Sequence, residues 1–323
     1  MSLRFSPRRA LGRTGFVATA LGAGDLADRS VPKDRCVRTL RRALEAGFNV
    51  VDTAPMYEDG YSEEIVGEAL RGRREGVFLV DKIDHLDRPV APQLDGSLSR
   101  LDLASVDLLV LHSCSDPETW RRARASGGAM AELGEEIARG RARFRGISSH
   151  HPDVLADALA SGLCDVVMFP VGPFCHPRYV DEILPAAKAL GVGTICFKTF
   201  GAGKLVGDTE GYGRPLAERP RGKVSSGGAD DAQPTLPRLS VEECLRYTLT
   251  LDPDVALLGL SFPNEQDAAF AAARDFRPMD AEELAATRRR ATEAIRGKGE
   301  VWWDPRPAPG GGGAASGDRS SRA

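Results

Sequence analysis

From about residue 18 to residue 275, short apolar runs alternate with stretches of helical periodicity. The runs occupy 19–23, 48–52, 77–81, 106–111, 144–148, 166–169, 192–197 and 255–259. Most are continuous in Val, Leu, Ile and Phe rather than alternating apolar with polar. That pattern belongs to strands covered on both faces, as in a parallel sheet. Between them lie amphipathic segments such as 35–46 and 65–71, and a helix start at Asp116-Pro117-Glu118, where a capping side chain precedes a proline at the first helical position. Eight strand-then-helix units predict an α/β fold, a closed (β/α)8 TIM barrel. A doubly wound sheet is the alternative. Its phosphate-binding turn is incomplete here, because Gly22-Ala23-Gly24 lacks the third glycine of that fingerprint.

Four segments fall outside the repeat. Residues 3–17 read as a short N-terminal hairpin closing the bottom of the barrel. The stretch 201–239, after the seventh strand, is crowded with Gly, Pro, Ser and charge, the composition of a long functional loop. A C-terminal helix is expected at about 280–296. Residues 305–323 are a Pro/Gly-rich tail too poor in apolar surface to fold, which leaves 1–304 as a single barrel domain.

The whole chain of 323 residues has 43 Lys+Arg against 46 Asp+Glu, a net charge of −3. So balanced a charge gives no field for nucleic acid or an anionic membrane. No apolar stretch reaches the roughly 18 residues of a membrane span, and the N-terminus lacks the apolar core of a secretory signal. A cytoplasmic protein is expected. Six cysteines are scattered with no Cys-x-x-Cys pair, as suits reduced core thiols rather than a disulfide or zinc framework.

In such barrels the chemistry projects from the C-terminal ends of the strands. The second strand ends in Asp52 with Tyr57 five residues on, the third in Asp81-Lys82, the fourth in His112 and the fifth in Ser148-Ser149-His150. A phenol of pKa about 10 is a poor acid unless a neighbouring cation stabilises its phenolate. Lys82 is placed to supply that cation, Asp52 to hold Lys82, and His112 to orient a carbonyl oxygen. Each residue taken singly also has a structural explanation, as a cap, a rim charge or a packed ring; their succession around one rim favours chemistry. Ser148-Ser149 equally suits capping the helix that follows. The histidines His85, His112, His150, His151 and His176 raise a metal-dependent barrel hydrolase as a rival, with Lys82 as bridging ligand, but the first strand ends in Gly22-Ala-Gly-Asp25 with no histidine pair.

The segment Phe48-Asn-Val-Val-Asp-Thr-Ala-Pro-Met-Tyr with Gly60-Tyr-Ser-Glu-Glu-Ile-Val-Gly-Glu-Ala-Leu resembles the aldo-keto reductase signature. Leu79-Val-Asp-Lys resembles that family's lysine strand, Val106-Asp-Leu-Leu-Val-Leu-His its histidine strand and Arg145-Gly-Ile-Ser-Ser-His its fifth-strand motif. The resemblance covers about residues 8–275. It implies a (β/α)8 barrel, NADP or NAD bound without a Rossmann domain, and reduction of a small-molecule aldehyde or ketone, or the reverse oxidation of an alcohol. It makes Asp52, Tyr57, Lys82 and His112 the catalytic tetrad, with Tyr57 the general acid. For the cofactor it implies Gly24, Asp52, Ser148, Ser149, Met168 and Phe197 around the nicotinamide. Lys198, Thr199, Gly201, Gly203 and Lys204 fall along the pyrophosphate, and Ser261 and Gln266 at the adenosine end. Ser149 stands where an asparagine is usual and Met168 where a glutamine is. Gln266 and Leu260 replace the arginine and lysine of NADP-preferring members, which tilts the preference towards NAD or dual use. A cofactor-binding regulatory protein of the same fold with little turnover is the remaining alternative.

Overall fold

The computed structural model describes residues 8–29, 31–208, 238–259, 263–296, 298, 301 and 303. The expected tail at 305–323, the central part of the 201–239 loop, Leu260 and Ser261 lie outside these residues. Eight parallel strands close into a barrel: β3 (Leu21–Ala23), β4 (Val50–Asp52), β5 (Phe78–Ile83), β6 (Leu108–Leu111), β7 (Phe144–Ser148), β8 (Val166–Pro170), β9 (Gly193–Phe197) and β10 (Val255–Leu258), with β10 hydrogen-bonded to both β9 and β3. Around them lie α1 (Lys33–Glu45), α2 (Tyr61–Leu70), α3 (Val90–Leu101), α4 (Pro117–Ala123), α5 (Ala129–Ala138), α6 (Pro152–Ser161), α7 (Leu184–Ala189), α8 (Val241–Thr250), α9 (Pro263–Arg274) and α10 (Ala281–Ala294). The N-terminal hairpin is present as β1 (Arg8–Ala10) antiparallel to β2 (Val17–Thr19). No described helix is long and apolar enough to cross a membrane.

Strand periodicity separates two cores. From β4 to β8 the even-numbered positions face into the barrel, where Val50, Phe78, Val80, Leu108, Val110, Val166 and Met168, with the odd-numbered Ile195, Val255 and Leu257 of β9 and β10, pack with Leu11 and Ala18 of the N-terminal segment and with the partly buried Phe16. The hairpin thereby stoppers one end with apolar side chains. Odd-numbered positions such as Val51, Leu79, Leu109 and Val167, and on β9 and β10, where the parity is reversed, Cys196 and Ala256, face the helices and join the larger core. The Asp116 carboxylate caps α4 by accepting from the Thr119 N–H at 2.7 Å, as its sequence requires. Gly67 in the signature segment has a packing reason: a methyl there would lie 2.2 Å from the Leu101 carbonyl, forcing α2 off α3.

On β5 one odd-numbered position is not apolar. Asp81 is fully buried between β5 and α2; one carboxyl oxygen accepts from the Lys82 N–H at 2.8 Å, and the other has no hydrogen-bond partner among the described residues. Burial, with the Glu63 carboxylate close by, pushes its pKa up to about 8. The folded state therefore holds a proton that the unfolded chain releases near pH 3.8. Its contribution to stability is full at low pH and is lost as pH rises through the folded value. Denaturant titrations from about pH 6 to about pH 9 should show stability falling, and Asp81→Asn should flatten that decline. An equally steep decline in the variant would remove Asp81 as its cause.

Candidate active site

Alternation places three of the four expected catalytic residues on one wall. Asp52 ends β4, Lys82 is the last residue but one of β5 and His112 directly follows β6, all even-numbered and in step with the inward-facing Val50, Val80 and Val110. Tyr57 reaches the same rim from the loop after β4, where Glu58 and Asp59 take left-handed backbone conformations, φ 51° each, that turn the chain sharply into α2.

The centre is an ion pair. Lys82 is 1% exposed and its Nζ donates to Asp52 Oδ1 at 2.6 Å and to the Thr53 carbonyl at 2.7 Å. The same ammonium lies 4.5 Å from the centre of the Tyr57 ring. Burial works against the Lys82 charge, but Asp52 first and then Tyr57 outweigh it, and its pKa ends above the ordinary value. Burial raises Asp52 against the pull of Lys82. Burial likewise raises Tyr57, with Lys82 opposing, so the phenol keeps its proton in the resting site. Tyr57 meets the His112 ring edge-on, with centroids 5.6 Å apart and planes at 85°.

His112 brings in a residue that the strand-end reading passed over. Its Nδ1 is hydrogen-bonded to Asp84 Oδ1, and Asp84 Oδ2 accepts from the Met56 N–H at 2.7 Å. The ring is buried, and burial lowers its pKa although Asp84 pulls the other way. The signal for Asp84 was available: it stands two residues after Lys82, hence on the same face of the extended chain.

Around the rim, Ser148 and Ser149 are buried. Ser149 Oγ accepts from the His151 N–H at 3.1 Å just before α6, but the N-cap of that helix is His151 with no side-chain capping bond, so neither serine caps it. Met168 packs in the apolar barrel interior, and Phe197 sits at its edge with its ring 5.3 Å from that of His150. Gly24 hydrogen-bonds to the Leu258 carbonyl at 3.0 Å, and a methyl there would make only ordinary contacts. After β9 the chain runs through positive φ at Lys198, Gly201, Ala202 and Gly203 (72°, 54°, 53° and 79°), coiling a tight turn. Within it the Thr199 hydroxyl is buried with no hydrogen-bond partner among the described residues.

Two expected cofactor contacts are placed otherwise. Lys204 is wholly buried; its Nζ donates to the Lys298 carbonyl while Lys298 Nζ donates to the Lys204 carbonyl at 2.7 Å, and the Trp303 ring lies 5.8 Å from the Lys204 ammonium. It secures the C-terminal segment, which sequence spacing alone could not indicate. Lys198, half-buried with its Nζ 5.6 Å from the same ring, is the turn's other cation. Gln266 is buried between α9 and α1, with its amide N–H donating to the Thr39 carbonyl at 2.9 Å and its carbonyl accepting from Arg42 at 3.0 Å. The guanidinium nearest that position is thus supplied by α1. Among the described residues no three His, Cys, Asp or Glu side chains converge as metal ligands.

The sequence profile described as the Aldo/keto reductase family matches residues 19–288. Methylglyoxal reductase YeaE of Escherichia coli is 33% identical over 141 residues, 43% of this chain and 47% of that protein. Aldo-keto reductase YhdN of Bacillus subtilis is 28% identical over 218 residues, 62% of this chain and 64% of that one. The chain thus spans about half to two thirds of the length of these two relatives. Among solved structures, the holo form of aldo-keto reductase AKR11C1 from Bacillus halodurans superposes with a TM-score of 0.65 at 24% identity, covering 89% of this chain and 95% of that one. An aldo-keto reductase from Klebsiella pneumoniae in complex with NADPH gives 0.65 at 20% identity over 88% and 95%.

Proposed function

The chain belongs to the aldo-keto reductase family, and from that premise we propose that it is an NAD(P)H-dependent oxidoreductase interconverting a small aldehyde or ketone and its alcohol, with Tyr57 as the proton donor to the carbonyl oxygen. One observation carries the reading: a fully buried ammonium, fixed by Asp52 and the Thr53 carbonyl, lies against the ring of the Tyr57 phenol. When bound, the reduced nicotinamide supplies the hydride. Tyr57 then meets the oxygen as negative charge develops on it. Lys82 stabilises the phenolate left behind, and Asp52 keeps Lys82 charged and aimed.

The residues present fit a dinucleotide. Thr199 offers an orphaned buried hydroxyl in a turn flanked by the Lys198 cation, which suits an anionic phosphate bridge. Ser148 lies at the rim beside Met168, to which it is paired in register, so that end offers one hydroxyl and one apolar wall. The Klebsiella relative binds NADPH; here NADP and NAD are both proposed, since Gln266 is turned into the protein and Arg42 of α1 brings positive charge to that position.

Fluorescence titration of the purified protein with NADPH and with NADH tests cofactor and phosphate preference together; binding of neither would remove the proposal. Thr199→Val sharpens it. Removing an unsatisfied buried hydroxyl should raise the stability of the free protein by about 1 kcal/mol, while the lost hydrogen bond should weaken NADPH binding by about tenfold. Unchanged affinity would place Thr199 outside the cofactor site.

A further inference from the structure

Behind the catalytic wall, two buried carboxyls are left incomplete. Asp81 of β5 faces α2 and is wholly buried, and so is Glu63 in the first turn of α2. One Glu63 oxygen accepts from the Arg100 Nε–H of α3. Its other oxygen has no hydrogen-bond partner among the described residues, and neither has the second oxygen of Asp81. The cations that act on this pair are Lys82, already committed to Asp52, and Arg100, on which Asp84 also draws. One guanidinium therefore serves two buried carboxyls, and a proton on Asp81 is what balances the charge.

The Tyr57 loop is closed onto this same turn of α2. The Gly60 N–H donates to the Pro55 carbonyl at 2.7 Å, the Tyr61 N–H to the Glu58 carbonyl at 3.1 Å and the Ser62 N–H to the Tyr57 carbonyl at 3.3 Å. The Thr53 hydroxyl donates to Ser62 Oγ at 2.8 Å, fastening the turn to the strand end beside Asp52. Arg100 packs against Gly60, where φ is 80° and a methyl would lie 2.5 Å from the arginine Cδ. A shift of the Glu63 turn is thus passed directly to the ring that rests on Lys82.

We propose that Asp81 and Glu63 are positioning residues for Tyr57. While Asp81 holds a proton, Glu63 and Arg100 seat α2 and keep the phenol against Lys82; when that proton leaves for solvent, the two carboxylates repel and draw Tyr57 off the lysine. The inference rests on the oxidoreductase reading above. The charged groups facing Asp81 are Lys82 and Asp84 on its own strand, Glu63 from α2 and Arg100 from α3. On β6 its register partner is the apolar Leu109, and Asp52 of β4 is taken up by Lys82. Burial first, and then Glu63, opposes ionisation of Asp81; the backbone N–H and ammonium of Lys82 favour it and are outweighed. The seated arrangement is therefore complete at low pH and is lost as pH rises through the folded value of Asp81.

The test compares the full-length wild type with Asp81→Asn and Glu63→Gln. An asparagine keeps an acceptor for the Lys82 N–H and a glutamine keeps one for Arg100, while either removes the repulsion. With saturating NADPH, kcat of the wild type for 4-nitrobenzaldehyde should fall about tenfold per pH unit above about pH 8, with KM for NADPH unchanged. Both variants should match the wild type at neutral pH and hold their kcat through the alkaline range. Hydrogen-exchange protection of the first turn of α2, read by mass spectrometry and corrected for the intrinsic rate at each pH, should fall over that range in the wild type alone. If one variant does not fold, the other suffices, since each removes one of the two charges. An alkaline fall as steep in a folded variant as in the wild type, or wild-type protection that stays constant, overturns the proposal. If NADPH is bound and none of the three proteins reduces the aldehyde, the oxidoreductase reading falls; the exchange measurement, which needs no turnover, still decides whether the proton on Asp81 seats α2.

Discussion

Replacing Tyr57 with phenylalanine is expected to reduce carbonyl reduction by about 10²–10⁴-fold while leaving NADPH affinity close to wild type. The substitution deletes one oxygen and little else. The ring remains edge-on to His112 and against the Lys82 ammonium, and the hydroxyl's own hydrogen bond with Lys82 is what is lost. What disappears is a group that pairs a transferable proton with an adjacent buried cation. Burial alone makes this phenol a weaker acid than in water. Its usefulness therefore depends on charge arriving at the substrate oxygen, at which point the Lys82 field, little screened in the buried site, favours the phenolate. Single-turnover rates separate this from a binding defect. Wild-type turnover in Tyr57→Phe would show that the proton comes from elsewhere.

The second large effect is on the fold itself. Lys82→Met should destabilise the protein by about 3–5 kcal/mol, because it strands the Asp52 carboxylate in the barrel without its counter-ion. The loss should depend on pH in a stated direction. Without Lys82, burial raises Asp52 further, so the folded variant is relatively more stable in acid, where that carboxyl is protonated, and loses stability as pH rises. Adding Asp52→Leu should recover most of the loss, since an apolar side chain carries no desolvation penalty. Chemical denaturation of the two single variants and the double variant completes the cycle. A double variant no more stable than Lys82→Met would mean that the lysine stem, not the pair, was the source of stability.

These two residues also show how far spacing and period can be read. Lys82 and Asp52 are legible because a strand buried on both faces has little reason to end in charge unless the charge is used, and because both precede a turn into a helix. Tyr57 follows from the chemistry the other two demand. Asp81, their neighbour in sequence, looks equally exposed to function on paper. It proves to be a buried carboxyl facing α2, since odd-numbered positions on β5 point away from the barrel axis. Lys204 and Gln266 mark the opposite limit. Each has the right chemistry at a plausible place, and each is turned to a partner distant in sequence: Lys298 for one, Thr39 and Arg42 for the other.

By itself the amino-acid sequence determined the barrel, the order of its strands, the hairpin at its start and the four residues brought to one rim. Periods of two and of about 3.6, and the residue types at strand ends, are local properties that survive without knowledge of neighbours. The tertiary structure alone decided where protons and charges rest: Nδ1 of His112 on Asp84, a proton retained by Asp81, Lys204 drawn to the C-terminal segment. Those outcomes depend on which side chains meet across a closed sheet and on how much water their meeting excludes. Both are fixed only when the last strand pairs with the first.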